Sequence, residues 1–309
     1  MKAVDAAFRK AILAAAANEH LEQLAGRFGM QLGAHRFVAG ETLDECVAVL
    51  RRLNDQGFKA NTTLLGESVA DEAAAARVVE EYERILERIQ AENLRVNVAL
   101  KLTHLGLEIE EELARANVER LVRHAAALGN FIRIDMEDSS AVDATLRIYR
   151  RLQEAGLENV GVVLQSYLYR SEGDLRDLLP LRPNVRLVKG AYLETETVAY
   201  PSKEDVDAAY VRLLEVALHD AGYTAVATHD EQLIEHAIAF AERHGIARDR
   251  FELQLLYGVR RELQLSLLRR GFTVLVATPF GPEWFPFFMR RLAERPANLT
   301  FVARNLVRR

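Results

Sequence analysis

The sequence predicts an α/β fold, a (βα)8 TIM barrel preceded by extra N-terminal helices. Three observations carry this. Short apolar stretches alternate with long amphipathic ones, the short stretches number eight, and polar residues recur on one face near their C-terminal ends. The first amphipathic stretch runs from about residue 4 to 26, with Val4, Phe8 and Ile12 at four-residue spacing, and a second helix covers 43–54. Strands are then expected at 58–65, 95–102, 131–135, 160–165, 185–189, 225–228, 251–255 and 273–277. Helical patterns at 71–90, 108–128, 141–155, 203–221, 231–244 and 260–270 lie between them. An open doubly wound sheet has the same alternation, and periodicity alone does not separate the two. Such a sheet usually announces its nucleotide site by G-x-G-x-x-G after the first strand, and that motif is absent here. No Pro/Gly/Ser-rich linker interrupts the chain, so one domain is expected over 1–309, a helical segment over 1–56 leading into a barrel over 57–309.

Composition narrows the function. The 309 residues are 50% hydrophobic and 28% charged, enough for a large core, with a formal charge of −5. No Lys/Arg block is present, which argues against a nucleic-acid partner and against stable attraction to anionic membrane, leaving transient membrane contact at most. Apolar runs fall short of the roughly 18 residues that a membrane span needs. No secretory signal is read after the N-terminal alanine run. A single cysteine, Cys46, excludes an internal disulfide and fits a reducing, cytoplasmic compartment.

Strand parity assigns the barrel interior. Asn97, Ala99 and Lys101 share one face of their strand, Arg133 and Asp135 one face of the next, and the same alternation turns Gln165, Glu252 and Gln254 inward. Polar residues at C-terminal strand ends suggest a site, although mutually satisfying core networks also use such residues. No metal-ligand spacing and no G-x-S-x-G elbow occur, and His229-Asp230 alone is a weak signal for a metal. Arg290 and Arg291, followed at helical spacing by Glu294, offer forked donors to a carboxylate or phosphate. A solvated helix face could carry the same residues. Gly281-Pro282 gives that helix a defined start.

Several longer stretches then carry a resemblance. Arg36-Phe-Val-Ala-Gly-Glu41, Leu65-Gly-Glu67, Leu100-Lys-Leu-Thr103, Arg133-Ile-Asp-Met-Glu-Asp-Ser139, Val163-Leu-Gln-Ser-Tyr-Leu168, Arg186-Leu-Val-Lys-Gly-Ala-Tyr192, Ala227-Thr-His-Asp230, Gln254-Leu-Leu-Tyr-Gly258 and Arg290-Arg-Leu-Ala-Glu294 occur in this order along the chain. Together they resemble the proline dehydrogenase family in its monofunctional bacterial form, over essentially the whole chain. The resemblance implies a distorted barrel that holds FAD at the strand C-termini. It implies oxidation of L-proline to pyrroline-5-carboxylate, the first step of proline catabolism, with electrons passed to a quinone. By the same resemblance Lys101, Arg290 and Arg291 would hold the substrate carboxylate, and Tyr192 would close the pocket. Asp135 would sit beside the amine, and Arg186 near the flavin N5 edge. Met136, Gln165, Val188, Lys189, Gly190 and Ala191 would line the isoalloxazine and ribityl chain, with Thr228, His229 and Gln254 toward the phosphates and adenine. Three positions depart from the family pattern: Ala277 and Phe287 stand where tyrosines are usual, and Thr63 where an aspartate is usual. The departures make the pocket roomier and less polar. They leave open a substituted or larger cyclic amino acid, such as hydroxyproline, or a flavin- or carboxylate-binding relative without proline turnover.

Overall fold

The computed structural model describes residues 34–66 and 68–294, with side chains as far as Met289. The expected first helix over 4–26, together with Glu67 and the side chains of Arg290, Arg291 and Glu294, lies outside the described residues. Eight strands follow in order: β1 (Lys59–Leu64), β2 (Val96–Leu100), β3 (Ile132–Ile134), β4 (Val160–Gln165), β5 (Asn184–Val188), β6 (Tyr223–Ala227), β7 (Phe251–Leu256) and β8 (Val274–Phe280). Each pairs in parallel with the next, and β8 pairs with β1, so the sheet closes into a (βα)8 barrel. The α-helices among the described residues are α1 (Leu43–Asp55), α2 (Glu72–Ala91), α3 (Glu111–Ala127), α4 (Val142–Glu154), α5 (Ser171–Leu178), α6 (Lys203–Asp220), α7 (Glu231–Arg243), α8 (Arg261–Arg269) and α9 (Trp284–Glu294).

Local chemistry sets many of the helix starts. Thr42 and Glu45 form a reciprocal capping box at α1, and the side chains of Asp71, Ser202 and Asp230 accept backbone N–H bonds at the starts of α2, α6 and α7. Their buried faces follow helical spacing: in α2, Ala75, Val79, Tyr82, Leu86 and Ile89 all turn to the strands. On β1 the alternate residue Thr62 faces outward, where its hydroxyl lies 3.3 Å from the Cys46 sulfur of α1. Cys46 is buried there, and burial pushes its thiol up to about 12.

Two differences from the sequence expectation matter for the site. First, β8 runs to Phe280, straight through Pro279, rather than ending at residue 277. A proline is tolerated because β7 has already ended at Leu256, opposite Ala277, so the missing N–H breaks no ladder bond. The Pro279 and Phe280 carbonyls instead accept from Ala39 and Leu65 at 2.8 and 2.7 Å. Ala277 is therefore a mid-strand residue. Second, α1 packs on both β1 and β8, in the place that the helix following β8 usually takes. The displaced α9 sits in a separate apolar cluster of Phe37, Val38, Leu65, Trp284, Phe285 and Phe288, beside the C-terminal end of β1. The Trp284 indole N–H donates to Glu41 at 2.8 Å, fixing where α9 begins. This displacement brings the helix that bears Arg290 and Arg291 to the mouth.

Candidate active site

The inner face of the barrel divides into a floor and a mouth. On the floor, Arg133 is 2% exposed and donates through Nη1 to the carbonyls of Val162 (3.1 Å) and Asn184 (2.8 Å). Burial pulls its guanidinium down to about 9, with the charge of Arg186 adding to that effect and Glu252 opposing it. Gly161 on β4 makes room for it, since a Cβ there would lie 2.3 Å from Arg133 Nη1. Glu252 accepts a 2.6 Å bond from Gln254 Nε2. Arg133 and Glu252, which parity correctly turned inward, thus belong to a core network below the mouth.

At the mouth the strand ends bring most of the expected residues together. Lys101 follows the last residue of β2, and Asp135 and Met136 follow β3. Gln165 ends β4, Val188 ends β5 and leads into Lys189, Gly190, Ala191 and Tyr192, and Thr228 and His229 follow β6. The central contact is between Arg186 and Asp135. Arg186, buried on the inner face of β5, donates through Nη1 to Asp135 Oδ1 at 2.7 Å and through Nη2 to Asn61 Oδ1 at 3.2 Å. Its Nε and the Oε1 of Gln165 are buried and have no hydrogen-bond partner among the described residues. Gln165 holds its orientation by a 3.4 Å bond from Nε2 to the Met136 carbonyl.

The β5–α6 connection is shaped by Gly190, whose φ of +112° suits glycine and whose Cβ, if present, would lie 2.2 Å from the Tyr167 ring. The Lys189 ammonium is engaged with Asp207 (2.5 Å) and Asp230 (3.0 Å), with Lys203 joining the same carboxylates. Burial alone would raise the Asp230 carboxyl, but the bond and charge of Lys189, the Gln232 N–H and Lys203 outweigh it and hold the group below its usual range. Thr228 Oγ1 accepts from the Asp230 N–H at 3.2 Å. His229 Nε2 accepts from the Leu256 N–H at 2.9 Å, which places any ring proton on Nδ1. Glu194 accepts two 2.7 Å bonds from Ser139, tying the β5–α6 connection to the one after β3.

Beside Tyr192 a cavity of about 290 Å³ is lined by Thr103, Glu108, Glu137, Asp138 and Ser140 among others. Glu137 is buried and accepts from the Thr103 N–H at 3.1 Å and its hydroxyl at 2.5 Å. Of the three departing positions, Thr63 and Ala277 lie half-buried on the inner face, while Phe287 packs at the edge of the α9 cluster. Sequence reasoning passed over Asn61. Parity applied to β1 would have found it, because Asn61 and Thr63 share a face opposite the outward-facing Thr62.

The same architecture occurs in the crystal structure of proline utilization A (PutA) from Bdellovibrio bacteriovorus inactivated by N-propargylglycine. It superposes with a TM-score of 0.80 at 24% identity, over 86% of this chain and 32% of that one, so the likeness in fold spans about a third of that protein. In sequence, the chain is 43% identical to proline dehydrogenase of Deinococcus radiodurans over 309 residues, 99% of both chains. It is 41% identical to proline dehydrogenase 1 of Bacillus subtilis over 292 residues, covering 94% of this chain and 96% of that one. The family model described as proline dehydrogenase matches residues 46–304. With the barrel, the order of the motifs and near-complete coverage in agreement, the chain belongs to the proline dehydrogenase family.

Proposed function

We propose that this chain is an FAD-dependent dehydrogenase that oxidises L-proline to pyrroline-5-carboxylate, with a quinone as the final electron acceptor. The observation that carries the reading is Arg186: a buried guanidinium at the mouth, tethered to Asp135 and Asn61, with Nε still unpaired. The donor set fits the cofactor, since Arg186 Nε and Gln165 Oε1 are buried polar atoms awaiting partners. Gly190 keeps backbone close to Tyr167 without a side chain between. Arg186, Gln165, Met136, Val188, Gly190 and Ala191 would hold the flavin ring and ribityl chain, and Thr228, His229 and Gln254 the phosphate and adenine side. Lys189 contributes to this binding by backbone or by sharing its ammonium, which Asp207 and Asp230 already engage. FAD, when bound, supplies the acceptor for the hydride that leaves the ring carbon beside the nitrogen.

The chain's own residues prepare the substrate. Lys101, Arg290 and Arg291 fix its carboxylate, which aligns the reacting carbon rather than leaving it to diffuse. The reaction needs a neutral amine and leaves a cationic C=N group, so a carboxylate at Asp135 favours the product charge and also anchors Arg186. The Arg186 cation is preorganised where negative charge accumulates on reduction. Tyr192, on the connection latched by Glu194, closes the pocket against water.

Contact with a quinone is transient on this reading, with the protein otherwise cytoplasmic. None of the helices among the described residues is long and apolar enough to cross a membrane. Ala277 favours a second reading. It lies on the inner face in register with Asn61 and Leu256, and a methyl group where the family usually has a tyrosine ring would admit a substituted or larger cyclic amino acid. Anaerobic titration of the purified protein against L-proline and trans-4-hydroxy-L-proline tests both. Denaturation should release FAD, and L-proline should bleach its absorbance. FMN, or no flavin, would refute the cofactor. Bleaching by hydroxyproline alone would favour the second substrate, and bleaching by neither would leave a binding protein without turnover.

A further inference from the structure

We infer that Asn61 is a positioning residue that fixes the guanidinium plane of Arg186, an inference that rests on the flavin-dependent reading above. Asn61 is 1% exposed and sits on β1, four strands from β5 in a ring of eight, so Arg186 reaches across the barrel to meet it. Its amide has only one way to face. Nδ2 donates to both the side-chain and main-chain oxygens of Asn97, at 2.5 and 3.4 Å, which leaves Oδ1 to accept from Arg186 Nη2. The pairing of Asn61 with Asn97 across β1 and β2 sets that geometry through the sheet register itself.

The consequence for Arg186 is geometric. Asp135 holds Nη1 alone, and a planar group held at one corner can swivel about that bond. Asn61 holds Nη2, and two points fix the plane and thereby the direction of the unpaired Nε–H. Asn61 has no need to touch substrate or cofactor. It acts through Arg186.

Asn61→Ala removes the second tether. A misplacement of about 1 Å at a reacting centre costs on the order of 100-fold in rate, so kcat should fall by about 10- to 100-fold while KM for L-proline changes little. The flavin midpoint potential, measured by spectroelectrochemistry on the holoprotein, should also fall, because a less constrained cation stabilises the reduced form less. Should Asn61→Ala fail to fold, Asn61→Ser fits the same space but cannot span to Arg186, and it should show the same two changes. Combining either change with Arg186→Lys completes the test: once Arg186 is gone, loss of Asn61 should have little further effect. Independent, additive effects, or an unchanged potential and kcat in a folded Asn61 variant of an active wild type, would overturn the inference. A wild type that carries no flavin or does not oxidise proline would instead defeat the reading on which it rests.

Discussion

Two glycines show how single residues separate the structural floor from the mouth. Gly161 is required because Arg133 passes where its side chain would be, with the Asn184 carbonyl also 2.6 Å from the Cβ position. Gly190 is required by its left-handed φ and by the Tyr167 ring. Gly161→Ala should destabilise the folded chain by about 1–3 kcal/mol, as overpacking does, and leave flavin content per folded molecule unchanged. Gly190→Ala distorts a connection at the mouth and should lower flavin content at least as strongly as it lowers stability. Urea midpoints and flavin-to-protein absorbance ratios on both variants distinguish the two. Equal loss of flavin in both would mean that floor and mouth are not separable in this way.

Among the elements, α7 and α9 carry consequences that a residue alone does not. Asp230 caps α7 and also meets Lys189 and Lys203. Its folded pKa lies below the ordinary value of 3.8, so its contribution is fully present above that pH and is lost as pH falls through the lower folded value. Asp230→Asn preserves capping ability but removes the charge, and should cost about 1 kcal/mol or less at pH 7. The difference from wild type should shrink on acidification below pH 4. A gap in urea midpoint that is the same at pH 7 and pH 3 would argue against the charge. The α9 helix starts at Trp284, bonded to Glu41, and packs through Trp284, Phe285 and Phe288 on Leu65 beside the C-terminal end of β1. Arg290→Met or Arg291→Met should weaken binding of a carboxylate substrate by roughly 2–5 kcal/mol if the pair grips the ligand. Flavin content should stay near wild type. Unaltered kinetics in both variants would make α9 a packing element only.

The closed barrel bears on the molecule as a whole. All eight strands are paired on both sides by backbone hydrogen bonds to other strands, and a continuous apolar layer packs between strands and helices. On the FAD-dependent reading proposed above, removing the cofactor should therefore leave the secondary structure intact and lower Tm. At free FAD about 100-fold above its Kd, mass action adds about 2.7 kcal/mol, so Tm should rise with added FAD. Collapse of the far-UV circular dichroism on flavin removal would show instead that the cofactor is part of the core.

Much of this was legible in the sequence, because local rules govern it. The alternation of eight short and many long apolar patterns determined the strand–helix order, since helices and half-buried strands each need their own period to bury one face. Parity placed Lys101, Asp135, Gln165 and Gln254 on the inner face for the same reason. Polar residues at strand ends marked the mouth, although parity could not separate Arg133, bonded to carbonyls of β4 and β5 on the floor, from Arg186 above it. Contacts between distant segments decided the rest. The run of β8 through Pro279 depends on β7 ending beside it, and the lift of α9 to the mouth depends on α1 filling its usual place. The tether from Asn61 to Arg186 spans 125 residues and exists only once the sheet closes. Sequence spacing encodes which face a residue takes along its own element, whereas closure of the ring decides which residue waits on the other side.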